Sequence, residues 1–152
     1  MYDRISSSCN NLQLIKIKTS KEDSQLLYVI LKERDKKNKI SHEIMPTFKE
    51  HINFVKSSPY RYWFFIKKAN NLIGSTYITY NNEITVILLK KNKNNFINTL
   101  KLILTHIKPL RGIASRRNQN FTLNLAPNNR FYIDILDKLG QKKIQETFLL
   151  QL

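Results

Sequence analysis

One cysteine, three glycines, four prolines and eleven carboxylates are all that a chain of 152 residues carries of those types, and each scarcity excludes something. Cys9 alone closes no internal disulfide, and His42, His51 and His106 stand at no metal-ligand spacing from it, so neither bridge nor metal is expected. No apolar run of about 18 residues occurs, and the opening MYDRISSSCNN lacks the apolar region of a signal peptide, which predicts a soluble, cytoplasmic protein. What is present is 41% hydrophobic residues, enough for one core and a single domain over 1–152.

With glycine and proline so scarce, Pro127 and Gly140 act as punctuation near the C-terminus. In LNLAPNNRFYIDILDKLGQKK, Leu123, Leu125 and Ala126 suit a strand that Pro127 stops. Asn128 or Asn129 can cap the helix that follows, Ile133, Leu136 and Leu139 form its apolar stripe, and Gly140 falls where a left-handed cap belongs.

Twenty-six basic residues against eleven acidic ones give a net charge of +15. Nineteen Lys, 17 Asn and 19 Ile are the composition an AT-rich genome writes, so the total alone points to no partner. Distribution says more, because between Ile84 and Ile133 no acid occurs while Lys90, Lys91, Lys93, Lys101, Lys108, Arg111, Arg116, Arg117 and Arg130 all do. Such a zone suits an anionic ligand or a solvated face.

The pattern alternates along the rest of the chain. LQLIKIKT reads as a first strand; Ser20 with Asp23 opens a helix reaching about Lys36; Thr47 with Glu50 is a capping box for a second helix in which His51 reads as a surface or edge residue. RYWFFI, LIGSTYITY and EITVILL read as a three-stranded meander, with EITVILL, apolar nearly throughout, at the sheet centre. Phe96, Leu100, Ile103, Leu104 and Ile107 mark a third helix ended by Pro109. FTLNLA, the fourth helix and a final strand KKIQETFLL complete the order βααβββαβαβ. The fold class is therefore α/β in the α+β sense, three layers with a mixed, mostly antiparallel sheet between helices.

This order, with NLAPNNRFYIDILDKLGQKK and LIGSTYITYNNEITVILL, resembles the GNAT family of N-acetyltransferases. RYWFFI, IGS and NNEI are similar, more narrowly, to its small-molecule and amino-sugar members. The resemblance implies acetyl-CoA as cosubstrate in a cleft where EITVILL and FTLNLA part. Backbone near Leu88 and Leu89 would hold the pantetheine arm, and the following loop with Lys91, Lys93, Asn94 and Asn95 the pyrophosphate. Asn129 matches the family's asparagine. The family's small residue in the late helix corresponds here to Tyr132, and its frequent tyrosine to Leu136. The phosphate loop, KKNKNNFIN, is short and has no glycine, so the chain reads as a divergent member with a degenerate loop.

Acetyl transfer needs a neutral amine, a polarised carbonyl and a proton for the leaving thiolate. Glu83 is the candidate base, and His42, Glu43 and Tyr62, with Tyr60 and Trp63 beside it, are candidates for the acceptor side. Three functions stay open: acetyl transfer to a small-molecule amine such as an amino sugar, by a monomer or homodimer; a pseudoenzyme or binding module of the same fold; and a basic nucleic-acid binder, for which no motif is present.

Overall fold

The computed structural model describes residues 2–7, 10–34, 44–148 and 150. Its elements run β1 (Arg4–Ser6), β2 (Leu12–Lys16), α1 (Lys21–Glu33), α2 (Phe48–Ser57), β3 (Tyr62–Lys68), β4 (Asn71–Ile78), β5 (Glu83–Leu88), α3 (Lys93–His106), β6 (Thr122–Leu123) and α4 (Arg130–Lys138). The strands form one six-stranded sheet in sequence order. Pairing is antiparallel from β1 to β5, and β5 to β6 is parallel. The mixed, mostly antiparallel α+β architecture is as the sequence predicts.

Strand alternation builds the layers. In β3, Phe64 and Ile66 face a core shared with Phe96, Leu102 and Ile103 of α3 and Tyr132 and Ile135 of α4. Phe65, between them, faces Leu27 and Ile30 of α1 and Val55 of α2. Helix starts have local causes: the Ser20 hydroxyl accepts from Asp23 N at 3.1 Å, and Thr47 and Glu50 close the capping box. Ala69 and Asn70, both at positive φ, make the tight turn between β3 and β4.

Both ends depart from the expected order, giving ββααβββαβα. β1, three residues with one buried side chain, is too short to show a period and forms only by pairing with β2. Among the described residues the expected last strand is not formed: residues 141–148 are exposed, with Ile144 and Phe148 in solvent. Their alternation is strand-like, but β6 is two residues long and offers almost no ladder to extend. For the same topological reason β5 lies next to the sheet edge, not at its centre. No helix among the described residues is long and apolar enough to cross a membrane.

Candidate functional site

β5 and β6 touch only at their starts. Glu83 pairs with Thr122 and Ile84 with Leu123, and Asn124 N donates to Ile84 O at 3.4 Å; beyond that the strands part. The turn Ala126–Asn129, closed by Asn129 N donating to Ala126 O at 2.9 Å around Pro127, carries the chain away into α4. A cavity of about 110 Å³ fills the opening, walled by Val86 to Leu89, Ala126, Asn129 and Tyr132, with Glu33 and Arg34 from the end of α1.

Which backbone groups face this opening follows from alternation. Thr85 O accepts from the Thr76 hydroxyl, and Leu89 N donates to Ile73 O at 2.9 Å, so odd-numbered residues bond toward β4. Asn82 O and Ile84 O accept from Thr122 and Asn124, so even-numbered residues bond toward β6. Val86 and Leu88 therefore turn their N–H and C=O into the cleft. Leu89, paired with Leu88 in the sequence reading, lines the cavity but spends its amide on β4. Gly74 allows this register, since a Cβ there would lie 2.0 Å from Ile87 O.

Two buried polar atoms at the cleft have no hydrogen-bond partner among the described residues: Asn129 Oδ1 and the Tyr132 hydroxyl. Burial pushes the Tyr132 hydroxyl up from the ordinary tyrosine range, while the backbone of Asn92 pulls the other way without reaching hydrogen-bond geometry, so the group is a protonated donor at neutral pH. Its ring stacks on Phe96 at 4.3 Å. Two helix N-termini flank the opening, and neither α3 nor α4 has an acid in its first turn. Lys91 is on the cavity wall and Lys93 is the first residue of α3. Asn92 caps that helix by accepting from Asn95 N at 2.9 Å, Asn94 is exposed beside it, and the Asn95 side chain accepts from Lys68 Nζ at 3.1 Å.

Across the sheet lies a second cavity, about 310 Å³, between β3–β5 and helices α1 and α2. Arg34 and Ile87 line both cavities and join them. Burial lowers the Arg34 pKa while the Tyr77 and Tyr60 hydroxyls oppose it; a guanidinium stays charged regardless. Burial, then Tyr77, pushes the Tyr60 hydroxyl well above the usual range. His51 is 5% exposed, not a surface residue; its Nε2 lies 3.1 Å from Ser24 O, which makes Nε2 the protonated nitrogen. Burial lowers its pKa, with that carbonyl opposing, so the imidazole is neutral at pH 7.

The sequence-predicted residues divide between these places. Leu88, Leu89, Lys91, Asn129 and Tyr132 converge on the first cavity. Trp63 and Tyr60 wall the second, whereas alternation sends Tyr62 to the opposite face, stacked on Phe64. Glu83 walls neither: its Oε2 accepts from the Thr79 hydroxyl at 3.1 Å, two residues before Thr85 on the same strand face. His42 and Glu43 lie outside the described residues. Sequence reasoning missed Glu33, Arg34, Glu50 and His51 as cavity residues, because nothing in their spacing reports where α1 ends or how α2 rotates.

No protein-family model matches this sequence, and no curated protein does. Solved structures match it in shape. An acetyltransferase from Salmonella typhimurium that modifies the N-terminal serine of a 50S ribosomal subunit protein superposes with a TM-score of 0.59 at 14% identity, covering 89% of this chain and 82% of its own. The fold is that of the GNAT acetyltransferases. A domain from Methanocaldococcus jannaschii gives a TM-score of 0.61 at 14% identity, covering 91% and 92%. A microcin self-immunity acetyltransferase, in complex with acetyl-CoA and AMP, gives 0.56 at 11%, covering 86% and 78%. In GNAT terms, the parted β5 and β6 are the strands whose separation the sequence resemblance implied.

Proposed function

We propose that the chain transfers the acetyl group of acetyl-CoA to the amine of a small molecule. The observation that carries this reading is convergence: the free edge of β5 at Val86 and Leu88, the unpartnered Asn129 Oδ1 and the unpartnered Tyr132 hydroxyl all meet in one cleft. Unsatisfied buried polar atoms are costly, about 1–3 kcal/mol each, and a ligand that pairs with them recovers that cost. Acetyl-CoA, when bound, supplies an acyl thioester on a pantetheine arm with two amides. The Val86 and Leu88 backbone fits those amides as a neighbouring strand would. Lys91, Lys93 and the acid-free N-termini of α3 and α4 fit a pyrophosphate, though by charge where a glycine loop would act by close backbone approach.

Around the reacting atoms, the Arg34 guanidinium at the junction of the cavities favours a neutral amine over an ammonium ion and stabilises negative charge growing on a carbonyl oxygen. Glu83, on the strand face of Thr85 and Ile87, takes the amine proton through a water. The Tyr132 hydroxyl returns a proton to the leaving sulfur.

Thermal unfolding with and without acetyl-CoA tests the binding step. Ligand at a hundredfold excess over its Kd adds about 2.7 kcal/mol, and acetate should add nothing comparable. Release of free thiol on adding an amine tests the transfer step. A thermal shift with no thiol released from any amine would overturn transfer and leave acetyl-CoA binding. No shift at millimolar acetyl-CoA would overturn the transfer reading in favour of a second, a pseudoenzyme or binding module of the same fold, which the glycine-free loop supports.

A further inference from the structure

The second cavity carries information about the acceptor. Its walls are Leu27, Ile30 and Leu31 of α1, Phe54 of α2, and an aromatic wall on the sheet. There Tyr60 stacks flat on Tyr77 at 3.9 Å and meets Trp63 edge-on at 4.9 Å, while Phe54 closes on both Tyr60 and Trp63 at 6.0 Å. Two charged groups stand among its described walls, the Arg34 guanidinium where the cavities join and the Glu50 carboxylate of α2, beside the polar side chains of His51, Ser75, Tyr60 and Tyr77. Hydrogen bonding from Thr47, first through its side chain and then its backbone, holds the Glu50 carboxyl below the usual range, so it is ionised at neutral pH. A cavity of about 310 Å³ is in the range that takes a small organic molecule.

Resting on the acetyl-transfer reading, we infer that the acceptor is a small primary amine carrying one aromatic or branched apolar body, seated against Trp63, Tyr60 and Phe54. The apolar body displaces water that the apolar part of this lining cannot hydrogen-bond, which favours binding. Glu50 attracts the ammonium form from solvent. Arg34 then opposes that charge at the junction, where the amine must be neutral to attack. An amino sugar is the poorer fit, because its ring would set hydroxyls against Leu27, Ile30, Leu31 and Phe54. A peptide N-terminus is poorer also, since its backbone amides would meet the same four apolar side chains.

The chain's one tryptophan lies in this cavity, so its fluorescence reports occupancy there and not in the cofactor cleft. The experiment titrates the full chain with 2-phenylethylamine, glucosamine and a short peptide beginning with serine. Fluorescence and, with acetyl-CoA present, thiol release are followed in parallel. Saturable fluorescence change and thiol release with phenylethylamine, at least tenfold above the other two in kcat/KM, is the expected result. Phe54→Ala, at a position 43% exposed and so tolerant of truncation, should weaken phenylethylamine binding about tenfold, with Phe54→Leu restoring most of it. Saturable fluorescence without thiol release would sustain the apolar-amine site and overturn acetyl transfer. Preference for glucosamine or the peptide, or no fluorescence response to phenylethylamine, would overturn the inference while leaving acetyl transfer intact.

Discussion

At the residue scale, His51 is a buried group whose titration folding changes close to neutral pH. Its pKa falls from 6.5 because burial penalises the imidazolium more than the Ser24 carbonyl supports it. As pH drops below about 6.5 the unfolded chain therefore takes up a proton that the native protein resists, and stability declines. His51→Gln removes that slope. The Tm advantage of the wild type over the variant should be larger at pH 7.5 than at pH 5.5, and a difference constant over that range would mean the ring is not buried neutral. The same residue separates two bases. Glu83→Gln should lower kcat by about a hundredfold with acetyl-CoA affinity unchanged. If instead His51→Gln abolishes the acidic limb of the kcat/KM profile and Glu83→Gln leaves turnover intact, the proton goes to the imidazole of the acceptor cavity.

At the element scale, the four-residue link 89–92 between β5 and α3 replaces a glycine loop with Lys91 and, one residue into the helix, Lys93. Charge of this kind is screened beyond about 10 Å at roughly 0.1 M salt, so acetyl-CoA affinity should fall steeply with ionic strength. Lys91→Gln with Lys93→Gln should weaken binding at low salt and flatten that dependence; titrations at two salt concentrations that leave affinity and slope unchanged would deny the lysines a phosphate role. Elements with strong local signals were legible in the sequence. The Ser20 cap and the Thr47–Glu50 capping box placed α1 and α2, the meander declared itself, and Gly140, at φ 69, ends α4 as expected. Helix rotation was less legible. α4 buries Tyr132 and Ile135, not a stripe of Ile133, Leu136 and Leu139, because apolar residues stand on two adjacent faces and only the sheet chooses between them. The acceptor cavity was half legible: Tyr60 and Trp63 advertise an aromatic wall, whereas Arg34 and His51 join it through the packing of α1 on α2, which leaves no local trace.

At the scale of the whole molecule, a charge of +15 is answered among the described residues by two surface ion pairs, Lys16 with Asp3 and Lys143 with Glu146. Self-repulsion thus opposes the compact state, and added salt relieves it. Raising sodium chloride from about 20 to 300 mM should raise Tm, by about 2–4 °C for each kcal/mol relieved, even as it weakens acetyl-CoA binding. A Tm that falls with salt would mean net attraction dominates instead. Fully buried Asn82 gives the fold a fixed point amid this charge. Its side chain donates to Leu110 O and Asn118 O and accepts from Leu110 N, fastening the basic loop to the β4–β5 turn. The parted β5 and β6 also set a clock within the sheet. Amides of Thr85 and Ile87 are locked against β4, whereas those of Val86 and Leu88 have no strand on their side, so neighbouring residues of one strand should trade their hydrogens with deuterated water at very different speeds. A bound pantetheine arm would stand in for the missing length of β6, and the two fast amides should slow to match the others.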